Sequence, residues 1–215
     1  MIPYQIIASG SKGNAVVLNH EILIDCGVSF AALRGVYKDL KLVLLTHIHT
    51  DHLKKTTIKA LANNRPSLKF ACGPWLAKSL ISAGVEKRNI HILQPNLMYP
   101  YPGVNVIPVQ LTHNVPNYGY KLHFPSGKVF YATDTGNLDG ITAWHYDLYM
   151  VEANYEDGEL LERLKRKRSQ GRYPYEEKVI SNHLSQKQCD SFLYANMGPK
   201  SRYVYMHQHE GGDDE

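Results

Sequence analysis

The 215-residue sequence predicts a layered α/β domain. Apolar runs of strand length alternate along it with segments of helical spacing, the pattern of sheets covered by helices. No repeat, low-complexity segment or linker divides them, and the length suits one full core, so residues 1–215 are expected to form a single domain. A third observation bears on function: three histidines and an aspartate fall between positions 47 and 52, where a predicted strand meets a predicted helix.

In chain order, Tyr4 to Ala8, Ala15 to Leu18 and Ile22 to Asp25 read as strands. The first two are joined by Ser9-Gly10-Ser11-Lys12-Gly13-Asn14, whose glycines among small polar residues predict a tight turn able to offer backbone N–H groups to an anion. Ser29 to Tyr37 is expected to be helical. Lys41-Leu42-Val43-Leu44-Leu45 is short and continuously apolar, as a buried strand is. Leu53 to Asn63 follows as a helix, with Leu53, Ile58, Leu61 and Ala62 on one face, and Asn63-Asn64-Arg65-Pro66 ends it. Next come a strand at Leu68 to Ala71, a turn at Gly73-Pro74 and a helix from Trp75 to Ala83 closed by Gly84. Strands at Ile90 to Leu93 and Val104 to Leu111 flank a Pro- and Tyr-rich loop, Pro95 to Pro102. Lys128 to Ala132 and Asp147 to Val151 are strands, and Glu159 to Arg168 is a helix with a basic last turn. Ser185-Gln186-Lys187-Gln188 reads as a capping box opening a helix that buries Cys189, Phe192 and Leu193. Arg202 to Met206 is the last strand.

A net charge of +4 leaves a polyanionic partner open without demanding one. No apolar run approaches the roughly 20 residues that cross a bilayer. The start, Met1-Ile2-Pro3-Tyr4-Gln5, lacks a basic segment followed by an apolar core, so a soluble, cytoplasmic protein with no membrane partner is expected. Cys26, Cys72 and Cys189 are widely spaced with no Cys-x-x-Cys, which argues against a disulfide framework and a thiolate zinc knuckle. They are expected to be small buried apolar groups.

On the strand-to-helix turn, alternate side chains point the same way. His47 and His49 can therefore take one metal ion while Asp51 and His52 reach a second, and imidazole with carboxylate suits zinc, manganese or iron. The order His-x-His-x-Asp-His resembles the signature of the metallo-β-lactamase fold superfamily. That resemblance implies a four-layer αββα sandwich with metal at one edge, and further ligands downstream: a His, an Asp and a His, each after a strand. The sequence supplies His113 after the strand ending at Leu111 and Asp134 in Thr133-Asp134-Thr135-Gly136, where Gly136 is read as permitting a tight turn. His207 follows the last strand and is preferred to His209 because it is the first residue beyond it. Asp25 matches the superfamily's early strand-end aspartate, whose implied role is to brace the metal loop rather than bind metal.

Several motifs together are similar to the YycJ/WalJ-type branch of exonuclease-like metallo-hydrolases, and more distantly to ribonuclease Z and phosphodiesterases. They are Ser-Gly-Ser-x-Gly-Asn, Ile-Leu-Ile-Asp-Cys-Gly, His-x-His-x-Asp-His-Leu-Lys, Val-Glu-Ala-Asn-Tyr, Gly171-Arg172-Tyr173-Pro174 and Asn-His-Leu-Ser. The similarity extends over nearly the whole chain, with Asn114 and Gln186 standing where the branch has Asp and Asn. It implies a dinuclear phosphodiesterase with His47, His49 and His113 on one ion, Asp51, His52 and His207 on the other, and Asp134 bridging. Two Zn2+ or Mn2+ ions would supply a hydroxide nucleophile. Asp51, His183 and Glu152 are the implied catalytic residues, His183 protonating the departing oxygen while Glu152 orients it or keeps it charged. Capping the next helix is the other reading of His183, and the two are compatible because a helix N-terminus also favours a phosphate.

Nucleic acid is the expected substrate. Cyclic nucleotides, a thioester or lactone, and a catalytically silent metal-binding module are the alternatives, and homodimer formation is compatible with the resemblance. The basic turn ending at Arg168 reads first as a solvated face and second as a steering surface for a nucleic-acid backbone. Tyr99, Tyr101, Tyr118 and Tyr120 read first as packing groups and second as base-stacking platforms.

Overall fold

The computed structural model describes residues 2–171 and 176–208. Two six-stranded mixed sheets are stacked face to face. The first holds β1 (Tyr4–Ala8), β2 (Ala15–Leu18), β3 (Ile22–Ile24), β4 (Leu42–Leu45), β5 (Lys69–Cys72) and β6 (Ile90–Ile92), in chain order. Its first three strands are antiparallel, and β3 to β6 run parallel. The second holds β7 (Tyr99–Tyr101), β8 (Val104–Leu111), β9 (Asn117–Phe124), β10 (Gly127–Ala132), β11 (Leu148–Glu152) and β12 (Arg202–Met206), antiparallel from β7 to β10 and parallel from β10 to β12.

Period-two alternation along the buried strands explains the layering. Leu42 and Leu44 of β4 face inward onto a core shared with Tyr118, Tyr120, Leu122 and Met150 of the second sheet. Val43 and Leu45 face outward, onto Ile58 and Leu61 of α1 (Lys55–Asn64) and Leu80 of α2 (Ala77–Ser82). The second sheet turns Phe130, Tyr149 and Val151 outward. Its outer helices are α3 (Asp157–Ser169), α4 (Glu176–Asn182) and α5 (Gln186–Asn196), and α5 buries Cys189, Phe192 and Leu193 there. The result is the αββα order expected from the sequence. The capping box at Ser185 and Gln188 forms as read, and all three cysteines are buried and free. Among the described residues no helix is long and apolar enough to cross a membrane.

Four local expectations are corrected. Ser29 to Tyr37 is a 3-10 turn, Phe30–Leu33, followed by hydrogen-bonded turns rather than an α-helix, as the poor helix formers Gly35 and Val36 dictate. The helix expected from Trp75 begins as a 3-10 turn at Pro74–Leu76 and becomes α-helical only at Ala77. The loop from Pro95 to Pro102 contains β7, in which Pro100 is accommodated because the strand lies at the sheet edge. Strand β9 has no counterpart among the expected elements: its Tyr118 and Tyr120 are buried between the sheets, so they are core groups and not base platforms. Tyr101 stacks on His91 and the Tyr99 hydroxyl accepts from Gln94 N–H, so these too are engaged in packing.

Candidate metal centre

Strands β3, β4, β8, β10, β11 and β12 all deliver residues at their C-terminal ends to one edge of the sandwich. From the first sheet come Asp25 and the segment from His47 to His52; from the second come His113, Asp134, Glu152 and His207. His183 joins them from the link between α4 and α5. Three of these exits turn through the left-handed region without glycine: Asp25 has φ 59°, Asp134 φ 55° and His207 φ 51°. Asp and His tolerate that conformation better than most residues.

Two triads of donor atoms result, each with all its atoms within 4.8 Å of one another: His47, His49 and His113, and Asp51, His52 and His207. Asp134 links them, grouped with His47 of the first triad and His52 of the second, and separately with Glu152, His183 and His207. In the first triad His47 Nε2 is 3.0 Å from His49 Nδ1, which is 3.4 Å from His113 Nε2. The outer nitrogens explain why these atoms face inward. Thr46 Oγ1 donates to Asp25 and lies 3.0 Å from His47 Nδ1, while His113 Nδ1 donates to the Asn182 carbonyl at 3.1 Å. Burial, with the nearby His52 charge second, pushes the His47 pKa down to about 2, and burial also lowers His113. His47 and His113 are therefore held neutral, the form in which imidazole can bind a metal.

In the second triad His52 is clamped. Nδ1 donates to Asp25 Oδ2 at 2.7 Å, and Nε2 lies 2.8 Å from Asp134 Oδ2 and 3.4 Å from Asp51 Oδ2. Burial alone would lower the pKa of His52, but Asp134 and Asp25 hold it well above the usual imidazole value. The same pairing, with help from His207, outweighs burial and keeps Asp134 well below the usual carboxylate range. His207 likewise overcomes burial and reaches about 10 through Asp134, Asp51 and Glu152. Asp134 Oδ2 and His207 Nε2 are buried yet have no hydrogen bond of acceptable geometry.

This donor set fits divalent cations. Ligand atoms around a tetrahedral ion with metal–nitrogen bonds of about 2.0–2.1 Å stand roughly 3.3 Å apart, close to the 3.4 Å between His49 and His113 and between His207 Nε2 and Asp134 Oδ1. Inward lone pairs packed this closely, with two buried polar atoms orphaned, are what a cation between them would satisfy.

Beside Asp134, His183 Nδ1 donates to Glu152 Oε1 at 2.6 Å. Glu152 is fully buried, and its Oε2 accepts from the N–H groups of Thr135 and Leu184. The His183 side chain keeps 19% of its surface exposed, so it can meet a substrate. Burial would lower its pKa, but the Glu152 hydrogen bond and charge raise it. The ring lies parallel to His207 with centroids 5.4 Å apart.

The structure thus brings together all of His47, His49, Asp51, His52, His113, Asp134, Glu152, His183 and His207. His209 and the residues Arg172 to Pro174 lie outside the described residues. Asp25 touches Thr46 and His52, as a bracing residue should. Gly136 is required for a reason other than turn torsion: an added Cβ would run into the Ser181 carbonyl, while Asp134 itself carries the turn. Three contributors do not stand out in the sequence. Asn14 Nδ2 lies 2.9 Å from His52 Nε2 and 3.0 Å from the Gly10 carbonyl, so the Ser-Gly-Ser-x-Gly-Asn loop braces the centre. Ser9 Oγ accepts from His207 N–H at 2.7 Å, and Asn154 Nδ2 donates to the His207 carbonyl at 2.8 Å. Their signal is present in the small polar residues of two quoted motifs, but their partners lie far away in sequence.

A family model described as Beta-lactamase superfamily domain matches residues 20–207. Among curated proteins, the chain is 24% identical over 229 aligned positions to an exodeoxyribonuclease WalJ of Streptococcus pneumoniae serotype 2 strain D39, covering 94% of this chain and 80% of that protein. The metallo-beta-lactamase fold protein YhfI from Bacillus subtilis superposes with a TM-score of 0.76 at 16% identity, covering 98% of this chain and 87% of the other. Human tRNase Z, short form, superposes with a TM-score of 0.69 at 15% identity, covering 98% and 93%.

Proposed function

This chain belongs to the Beta-lactamase superfamily domain family, and from that membership we propose that it is a dinuclear phosphodiesterase that hydrolyses nucleic acid. It is a metal-dependent hydrolase, and one observation carries the finer reading: Asp134 groups with His47 of one compact donor triad and with His52 and His207 of the other, with the His183–Glu152 pair directly beside it. In this reading His47, His49 and His113 hold one ion and Asp51, His52 and His207 the other, with Asp134 between them, and zinc or manganese suits the mixture of imidazole and carboxylate. When bound, such ions supply Lewis acidity and make water acidic enough to serve as a nucleophile near neutral pH.

The chain's own groups do the rest. Asp25, Thr46 and Asn14 hold the His47 to His52 segment in place, so the donors require little rearrangement. Glu152, fixed by two backbone N–H groups, holds His183 Nδ1 and favours the protonated ring. Nε2–H is then the donor available to the oxygen that leaves phosphorus. The relatives' names, an exodeoxyribonuclease and a tRNase, support nucleic acid as the substrate class.

The test is an assay of pure protein loaded with zinc or with manganese against single-stranded DNA, duplex DNA, RNA, cyclic nucleotides, a thioester and a lactone. Cleavage of a polynucleotide is expected. Cleavage of cyclic nucleotides alone would remove the nuclease reading, and cleavage of thioesters or lactones alone would remove the phosphodiesterase reading.

A further inference from the structure

Next to the candidate metal centre lies a cleft of about 770 Å³ whose walls include Lys12, Thr50, Asp51, Lys54, Lys55 and Thr56. Lys12, Lys54 and Lys55 are exposed. Among the described residues Asp51 is the sole carboxylate on the wall, and it is turned toward Asn14 and His52. The cleft wall therefore carries three lysines and also includes a group that belongs to one of the donor triads. Its cations stand on fixed backbone: Lys54 N–H donates to the Cys26 carbonyl at 3.0 Å, and Cys26 pairs with Leu53 in an isolated bridge. Ile48, 36% exposed, adds an apolar patch to the same wall.

We propose that this cleft is the path by which the sugar–phosphate backbone of a polynucleotide reaches the metal centre, with Lys12, Lys54 and Lys55 neutralising phosphates that flank the bond to be cut. The inference rests on the phosphodiesterase reading. At the basic end of α3, Lys167 pairs with Glu176 at 2.7 Å and Arg168 with Glu177 at 2.5 Å, tying α3 to α4. Phosphate contacts supply most of the sequence-independent affinity of a protein for nucleic acid and make it salt-dependent. A chain of phosphates matches several lysines on one cleft wall beside a hydrolytic centre better than a single small diester does.

The test is binding of the metal-loaded protein to a fluorescent single-stranded DNA with hydrolysis-resistant phosphorothioate linkages, followed by anisotropy over a series of salt concentrations. Lys54→Ala/Lys55→Ala should weaken Kd about tenfold and lower the slope of log K against log salt by about 1.4, roughly 0.7 for each phosphate no longer neutralised. Lys54→Arg/Lys55→Arg should bind as the unaltered protein does, and so should Lys165→Ala/Arg166→Ala, which alters exposed residues of α3. Equal affinity and slope in the Lys54→Ala/Lys55→Ala protein, or no binding by the unaltered protein, would overturn the assignment. A protein that binds in this lysine-dependent way but cleaves nothing would refute the hydrolytic reading alone. One that cleaves DNA with binding indifferent to the lysines would refute the cleft alone.

Discussion

His52 shows how much of the centre depends on residues that touch no substrate. It is fully buried between Asp25 and Asp134, and Asn14 holds the neighbouring backbone by donating to the Asp51 carbonyl. His183 differs in keeping an exposed edge, with Glu152 hydrogen-bonded behind it at 2.6 Å and Asp134 at 3.5 Å. If it donates the proton to the leaving oxygen, His183→Ala should lower kcat by about two to four powers of ten on a phosphodiester substrate, with KM changed far less. A loss expressed in KM alone would make His183 a binding or capping residue. The donor atoms themselves are legible in the sequence because each is a His or Asp just past an apolar run, as His113 is after Leu111 and Asp134 after Ala132. The supports are harder to see: Asn14 and Asn154 are ordinary turn residues until the fold sets them against His52 and His207.

At the level of elements, the centre is made by strand exits. The left-handed torsions at Asp25, Asp134 and His207 let three strands end abruptly with a functional side chain at the corner. Gly27 lets the segment after β3 lie against the loop before α1, where an added Cβ would run into the Asp51 carbonyl. Gly27→Ala should therefore destabilise the metal-free protein by about 1–3 kcal/mol in urea unfolding, through overpacking against backbone, and weaken metal retention as Asp51 shifts. Unchanged values of both would show that the two loops can separate at no cost. Strands with continuous apolar runs, such as β4, are readable as such. Strand β9 is not, because Asn-Tyr-Gly-Tyr-Lys mixes turn residues with aromatics, and its strand character comes from pairing with β8 and β10 on either side. Strand β7 is hidden by Pro100, which only an edge position tolerates.

In the whole molecule, the first sheet supplies His47, His49, Asp51 and His52, and the second supplies His113, Asp134 and His207, so bound metal would tie the two sheets together. The alternation of strands and helices foretells an α/β protein, but not which strands share a sheet; the αββα arrangement comes from the resemblance carried by the His-rich motif. Metal binding has a pH signature. In the metal-free protein His207, with its pKa raised to about 10, and His52, raised well above its usual value, are protonated at pH 7. Their protons must leave before the nitrogens can bind metal, so metal uptake should release protons, and affinity should strengthen as pH rises toward those raised values. Calorimetric titration in buffers of different ionisation enthalpy measures this, and an uptake heat independent of buffer would contradict it.

The central claim is that these two half-sites converge on a pair of cations. Anomalous diffraction from crystals of the zinc-loaded protein tests it directly. Two peaks are predicted, one within bonding distance of His47, His49 and His113 and the other of Asp51, His52 and His207, with Asp134 reaching both. A single peak bound by one triad, or zinc only at sites remote from Asp134, would contradict the account.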